Sequence, residues 1–163
     1  MTKATGQSVI HNTFVLERHY PKPPERVFSA LSNSDKKQKW FAASEHHDLE
    51  QFELDFRVGG VERTRYRFNS NSPFPGVALA TEGTIQDIVP NQRVVIASTM
   101  SLGEKRISTS LVTFELLPTE DGTDLILTHQ GAFYEGSDGP EMREGGWRKL
   151  LDQLAAAMRD AEA

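Results

Sequence analysis

For about eighty residues in the middle of the chain, apolar and polar side chains alternate with period two, and few folds accept such a stretch. In "LEQFELDFRVGGVERTRYRF", Phe52, Leu54 and Phe56 alternate with Glu53, Asp55 and Arg57. That period puts one set of side chains on a covered face and the other in water, the pattern of a half-buried antiparallel strand. Gly59 and Gly60 then signal a hairpin turn. On the returning strand Thr64, Tyr66 and Phe68 share the apolar face. Arg63, Arg65 and Arg67 share the other, opposite Gln51, Glu53 and Asp55; such a row could grip an anion or a partner protein, but cross-strand ion pairing explains it more simply.

Further strands are predicted in "ALATEGTIQDIVP", "RVVIASTM", "STSLVTFELLP" and "TDLILTHQGA", joined by the short turn-type connections "PNQ", "SLGEK" and "TEDG". The one longer connection is "SNSPFPG", Ser70 to Gly76. Ahead of this run, Val9 to Tyr20 reads as a strand stopped by "PKPP". "PERVFSAL" follows as a short helix with prolines in its first turn, where a missing N–H costs nothing. A second short helix is predicted with Ser34 or Asp35 near its cap, ending around Trp40 and Phe41. At the far end, Asp138 with Glu141 forms a capping pattern and Pro140 fits the first turn. Trp147, Leu150, Leu151, Leu154 and Met158 recur at helical spacing.

The order is strand, two short helices, about six antiparallel strands, long helix, in a chain of 163 residues with no visible repeat. An α+β fold in one domain, residues 1–163 with a core from about 9 to 160, is expected. No apolar run approaches the roughly 20 residues that span a bilayer, and "MTKATGQSVIHNTF" lacks the apolar core and cleavage site of a secretory signal, so a cytoplasmic protein without a membrane partner is the expectation. Absence of cysteine excludes disulfides, thiolate metal sites and cysteine nucleophiles. A net charge of -5 with no long basic stretch argues against nucleic acid as a partner.

Five pieces carry a resemblance nearly end to end: "PPERVFSALSNSDKKQKWF", "DFRVGGVERTRYRF", "EGTIQDIVPNQRVVIAST", "SLVTFELLPTEDGTDLILTHQG" and "GWRKLLDQLAAAM". In this order they resemble the Hsp90 ATPase activator homologue-like branch of the START and Bet v 1-like (SRPBCC) superfamily. The resemblance implies the helix-grip fold, a strongly curved antiparallel sheet of about six or seven strands around the long C-terminal helix, with a cavity between them. It says less of activity, because the superfamily includes lipid and polyketide binders, aromatase/cyclases and a co-chaperone domain.

If the apolar face of each strand looks toward the helix, Tyr66, Ser98, Ser110 and His129 are polar groups on an otherwise apolar wall that also holds Phe52, Phe56 and Phe114. A few convergent polar groups in an apolar pocket orient a small organic ligand, although serines satisfied by neighbouring backbone and a histidine at a strand end explain the same residues without one. Trp40 and Phe41 lie where the resemblance places one rim of the cavity, and with "SNSPFPG" they are candidates for an entrance gate; the competing reading buries Trp40 as a helix anchor. On the helix, Trp147 centres the apolar face, Leu150 and Gly146 flank it, and Gly145 falls near the opposite side. Gly146 is expected to leave room where the sheet or a ligand comes closest.

His129 is the residue best suited to exchanging protons near neutral pH, but no nucleophile set, "HExxH" spacing or phosphate loop accompanies it. "EHHD", Glu45 to Asp48, reads more simply as a solvated connector than as a metal site. The expectation is a binding protein for a hydrophobic or aromatic small molecule, with no cofactor and no metal. A cyclase-, dehydratase- or hydrolase-like enzyme using His129 and Tyr66, a co-chaperone-like contact and a homodimer stay open.

Overall fold

The computed structural model describes residues 8–42 and 44–160; residues 1–7 and 161–163 of the expected domain lie outside the described residues. The first element among the described residues is strand β1 (Ile10–Tyr20), followed by helices α1 (Pro24–Ser32) and α2 (Ser34–Phe41). Six strands come next: β2 (His47–Leu54), β3 (Val61–Phe68), β4 (Ala78–Val89), β5 (Arg93–Leu102), β6 (Lys105–Thr119) and β7 (Gly122–Phe133). Helix α3 (Pro140–Asp160) is the last described element. The strands form one antiparallel seven-stranded sheet in the order β1-β7-β6-β5-β4-β3-β2, curved around α3 in the helix-grip arrangement.

Local chemistry sets the boundaries. Pro24 occupies the first turn of α1, and Asn33 rather than Ser34 or Asp35 caps α2, its side chain accepting from the Lys36 N–H at 3.0 Å. Between β2 and β3, a Cβ on Gly60 would stand 2.0 Å from the Asp55 carbonyl, so this turn closes only without a side chain.

A bulge between Leu49 and Gln51 changes one expected pairing. The extra residue, Glu50, joins the arginine face and accepts from Arg65 at 3.2 Å and Arg67 at 2.8 Å. Arg63 pairs with Glu53 as expected, whereas Asp55 leaves the ladder for Arg57 in the turn.

The inner faces of the strands and the inner sides of the helices make one core, with Leu16, Val27, Phe114, Leu125, Leu127 and Leu151 among its buried members. The C-terminal half of α3 is sunk into it, where Leu151, Leu154 and Met158 are buried and the Tyr20 hydroxyl donates to the Leu151 carbonyl at 2.9 Å. The N-terminal half of α3 does not reach the sheet in the same way. No helix among the described residues is long and apolar enough to cross a membrane.

Candidate functional site

A cavity of about 700 Å³ opens where α3 stands away from the sheet. From α3 it takes one stripe at helical spacing, including Arg143, Gly146, Trp147, Leu150 and Gln153. From the sheet it takes the inner faces of β3 to β7, and α2 closes one side with Lys37 and Phe41. Ile96, Met100, Val112, Phe114 and Trp147 make most of the wall apolar. Phe74, in the loop after β3, and Met142, at the start of α3, also line it and are 54% and 71% exposed, so the mouth presents apolar side chains to water.

Of the side chains expected here, Phe41, Tyr66, Ser98, Ser110, Phe114, His129, Gly146, Trp147 and Leu150 all line the cavity. Three expected residues do not. Trp40 is fully buried and its indole N–H donates to the Ala30 carbonyl at 2.8 Å, locking α2 onto α1 as an anchor rather than a gate. Phe56 sits below the β2–β3 turn, edge-on to Phe28 at 5.7 Å, on the α1 side of the core. Phe52 is half-buried on the edge strand, while β2 contributes its other end, His47, to the cavity.

Gly146 faces open space. A Cβ there would meet nothing within 4 Å, so the sheet does not force the glycine, and its contribution is width at the mouth. Gly145 is exposed with equally free surroundings.

The polar groups fall into two clusters. In one, Arg143 is almost fully buried and forms a two-pronged bond to Asp138, Nε to Oδ2 and Nη2 to Oδ1, each 2.8 Å, while Nη2 also donates to the Ser108 hydroxyl at 3.0 Å. Its guanidinium carbon lies 5.1 Å from the centre of the Phe133 ring. Burial opposes ionisation of Asp138, but the Arg143 guanidinium more than offsets it and holds the carboxyl below its ordinary value. Asp138 is therefore engaged with Arg143, and α3 closes its first backbone bond, from Arg143, on Gly139 instead.

His129 belongs to the same cluster. Its ring stacks on Phe14 at 4.6 Å, nearly parallel, with Phe133 on another side at 5.9 Å. Burial, reinforced by the Arg143 charge, lowers its pKa to about 4, so the imidazole is neutral at physiological pH. Nδ1 is enclosed without a hydrogen-bond partner. No carboxylate among the described residues hydrogen-bonds the ring, as one would in a histidine-based catalytic set.

In the second cluster, the Lys37 ammonium is buried and 2.7 Å from Glu62 on β3, with the Phe41 ring centre at 4.8 Å. Tyr66 donates from its hydroxyl to the Phe41 carbonyl at 3.3 Å, and burial raises its pKa to about 12, which keeps the phenol protonated. His47 packs on Tyr66 at 4.1 Å with its Nδ1 enclosed and unpartnered, and burial lowers its pKa. Its neighbour His46 is exposed at the mouth, so the two histidines of "EHHD" diverge. Among the described residues, no group of three or more His, Cys, Asp or Glu is placed to hold a metal ion.

Sequence reasoning overlooked both ion pairs. Glu62 lies two residues before Thr64 on the inward face of β3, and Arg143 lies four before Trp147 on the inward stripe of α3, so the inward placement of these two was readable from the period already in use, though their partners were not.

Comparison with known families settles the family. The model for activator of Hsp90 ATPase homolog 1-like protein matches residues 21–159. The chain belongs to this AHSA1-like family. A protein of uncharacterized function from Rhizobium leguminosarum superposes with a TM-score of 0.88 at 36% identity, over 96% of this chain and 99% of its own. A protein from Rhizobium loti gives 0.83 at 42% identity, over 92% and 99%. The AHSA1 protein of Silicibacter pomeroyi gives 0.71 at 25% identity, over 91% and 98%. No functionally curated protein matches the chain. The AHSA1-like fold supports a ligand-binding or co-chaperone-like domain.

Proposed function

We propose that this AHSA1-like protein binds a hydrophobic or aromatic small molecule in the cavity between the sheet and α3, without chemistry of its own. The observation that carries the reading is the cavity itself: about 700 Å³, mostly apolar, with apolar side chains at its mouth and a few polar groups turned inward. The hydroxyls of Ser98 and Ser110 hydrogen-bond no described residue and remain available to an occupant. The test is a titration with fatty acids, flavonoids and polyketide-like aromatics, followed by amide shifts. Saturable shifts at Ser98, Ser110, His129 and Trp147 are expected; a panel that leaves all four unmoved overturns the reading.

The family description offers a second reading, a co-chaperone-like contact with Hsp90. Stimulation of the cognate chaperone's ATPase by this chain would support it, and no effect at saturating concentration would remove it.

A further inference from the structure

The cavity wall carries charge of both signs and no buried surplus. Arg143 is matched by Asp138 through two hydrogen bonds, and Lys37 by Glu62 at 2.7 Å. Lys149, the remaining lining cation, is exposed on α3 and keeps its water. A carboxylate entering the buried end would meet a cation and an anion side by side, whose fields nearly cancel, so the loss of its hydration would go uncompensated.

What the Arg143 cluster does offer is donors. No described residue takes the Nη1 group of Arg143. The Ser108 oxygen already accepts from Arg143, which leaves its proton to be given away. The ring of His129 lines the cavity, its enclosed Nδ1 has no partner, its Nε2 makes no hydrogen bond to a described residue, and the ring is fixed by the Phe14 and Phe133 contacts. Hydrogen bonds from a paired guanidinium to a carbonyl are charge-assisted yet require no ionised ligand.

We propose that the buried end of the cavity selects an uncharged ligand through a carbonyl oxygen bound by Arg143, Ser108 and His129, and discriminates against carboxylates. The proposal rests on the ligand-binding reading above and narrows it to neutral, carbonyl-bearing apolar molecules.

The test uses the full chain at neutral pH and three fluorescent probes with one skeleton: acetylpyrene, pyrenecarboxylate and ethylpyrene, substituted at the same ring position. Acetylpyrene should bind about tenfold or more tightly than either of the others, the scale of one good charge-assisted hydrogen bond. His129→Phe keeps the ring stack and should weaken acetylpyrene several-fold while leaving ethylpyrene unchanged. Asp138→Asn, which removes the counter-charge of Arg143, should shift the preference toward pyrenecarboxylate; if that variant does not fold, Ser108→Ala supplies the second comparison, with acetylpyrene alone weakened. Wild-type protein that binds pyrenecarboxylate as tightly as acetylpyrene, or variants in which the preference for acetylpyrene is undiminished, would overturn the proposal while leaving cavity binding intact. Failure of all three probes to bind would overturn the cavity reading and the proposal together.

Discussion

His129 shows what burial does to one side chain and how to detect it. Its folded-state pKa of about 4 lies below the ordinary 6.5, so as pH falls the unfolded chain takes up this proton first. The native state therefore loses stability between about pH 6.5 and 4, by about 3 kcal/mol in total from this group, and gains nothing from it above that window. Urea denaturation at stepped pH should show the slope in the wild type and a flatter profile in His129→Phe. Lys37 offers the complementary case. Lys37→Met strands Glu62 in the wall and is expected to cost about 3–5 kcal/mol, whereas adding Glu62→Leu should restore most of it. Thermal denaturation of the two variants side by side gives the comparison.

At the scale of elements, α3 does two jobs along its length. Its C-terminal half is packed and its N-terminal half borders a void, so substitutions should divide accordingly. Gly145→Ala adds a methyl to open space on the solvent side and should stabilise by up to about 1 kcal/mol, through helix propensity and a restricted unfolded chain. A measured loss would contradict that placement. Gly146→Leu should fold normally, because nothing stands within 4 Å of its Cβ, and should instead weaken ligand binding by narrowing the mouth. The elements themselves were legible because period two and period 3.6 are imposed by burial: the inward sets of β3, β5, β6 and β7 emerge from alternation alone. The bulge at Glu50 was not, since an inserted residue interrupts a pattern without announcing itself. Nor was the fate of "DKKQK", where one lysine of three is drawn inside by a carboxylate about 25 residues away, a contact that no local pattern encodes. Trp40 and Phe41 separate for a similar reason: neighbours on a helix point about 100° apart, and the tertiary setting decides which one faces the void.

Taken whole, the molecule is a sheet whose concave side is only partly filled by its helix, and a ligand that fills the remainder should stabilise it. At one hundred times its Kd, an occupant would add about 2.7 kcal/mol and raise the melting temperature in proportion to the logarithm of its concentration. The sheet order carries a different consequence, for the time course of folding. From β2 to β7 every strand lies beside its sequence neighbour, so five hairpins can close locally and early. Only β1 breaks the rule, pairing Ile10 with Phe133 across roughly 120 residues of chain. Pulse-labelled amides of β1 should therefore be the last of the sheet to gain protection.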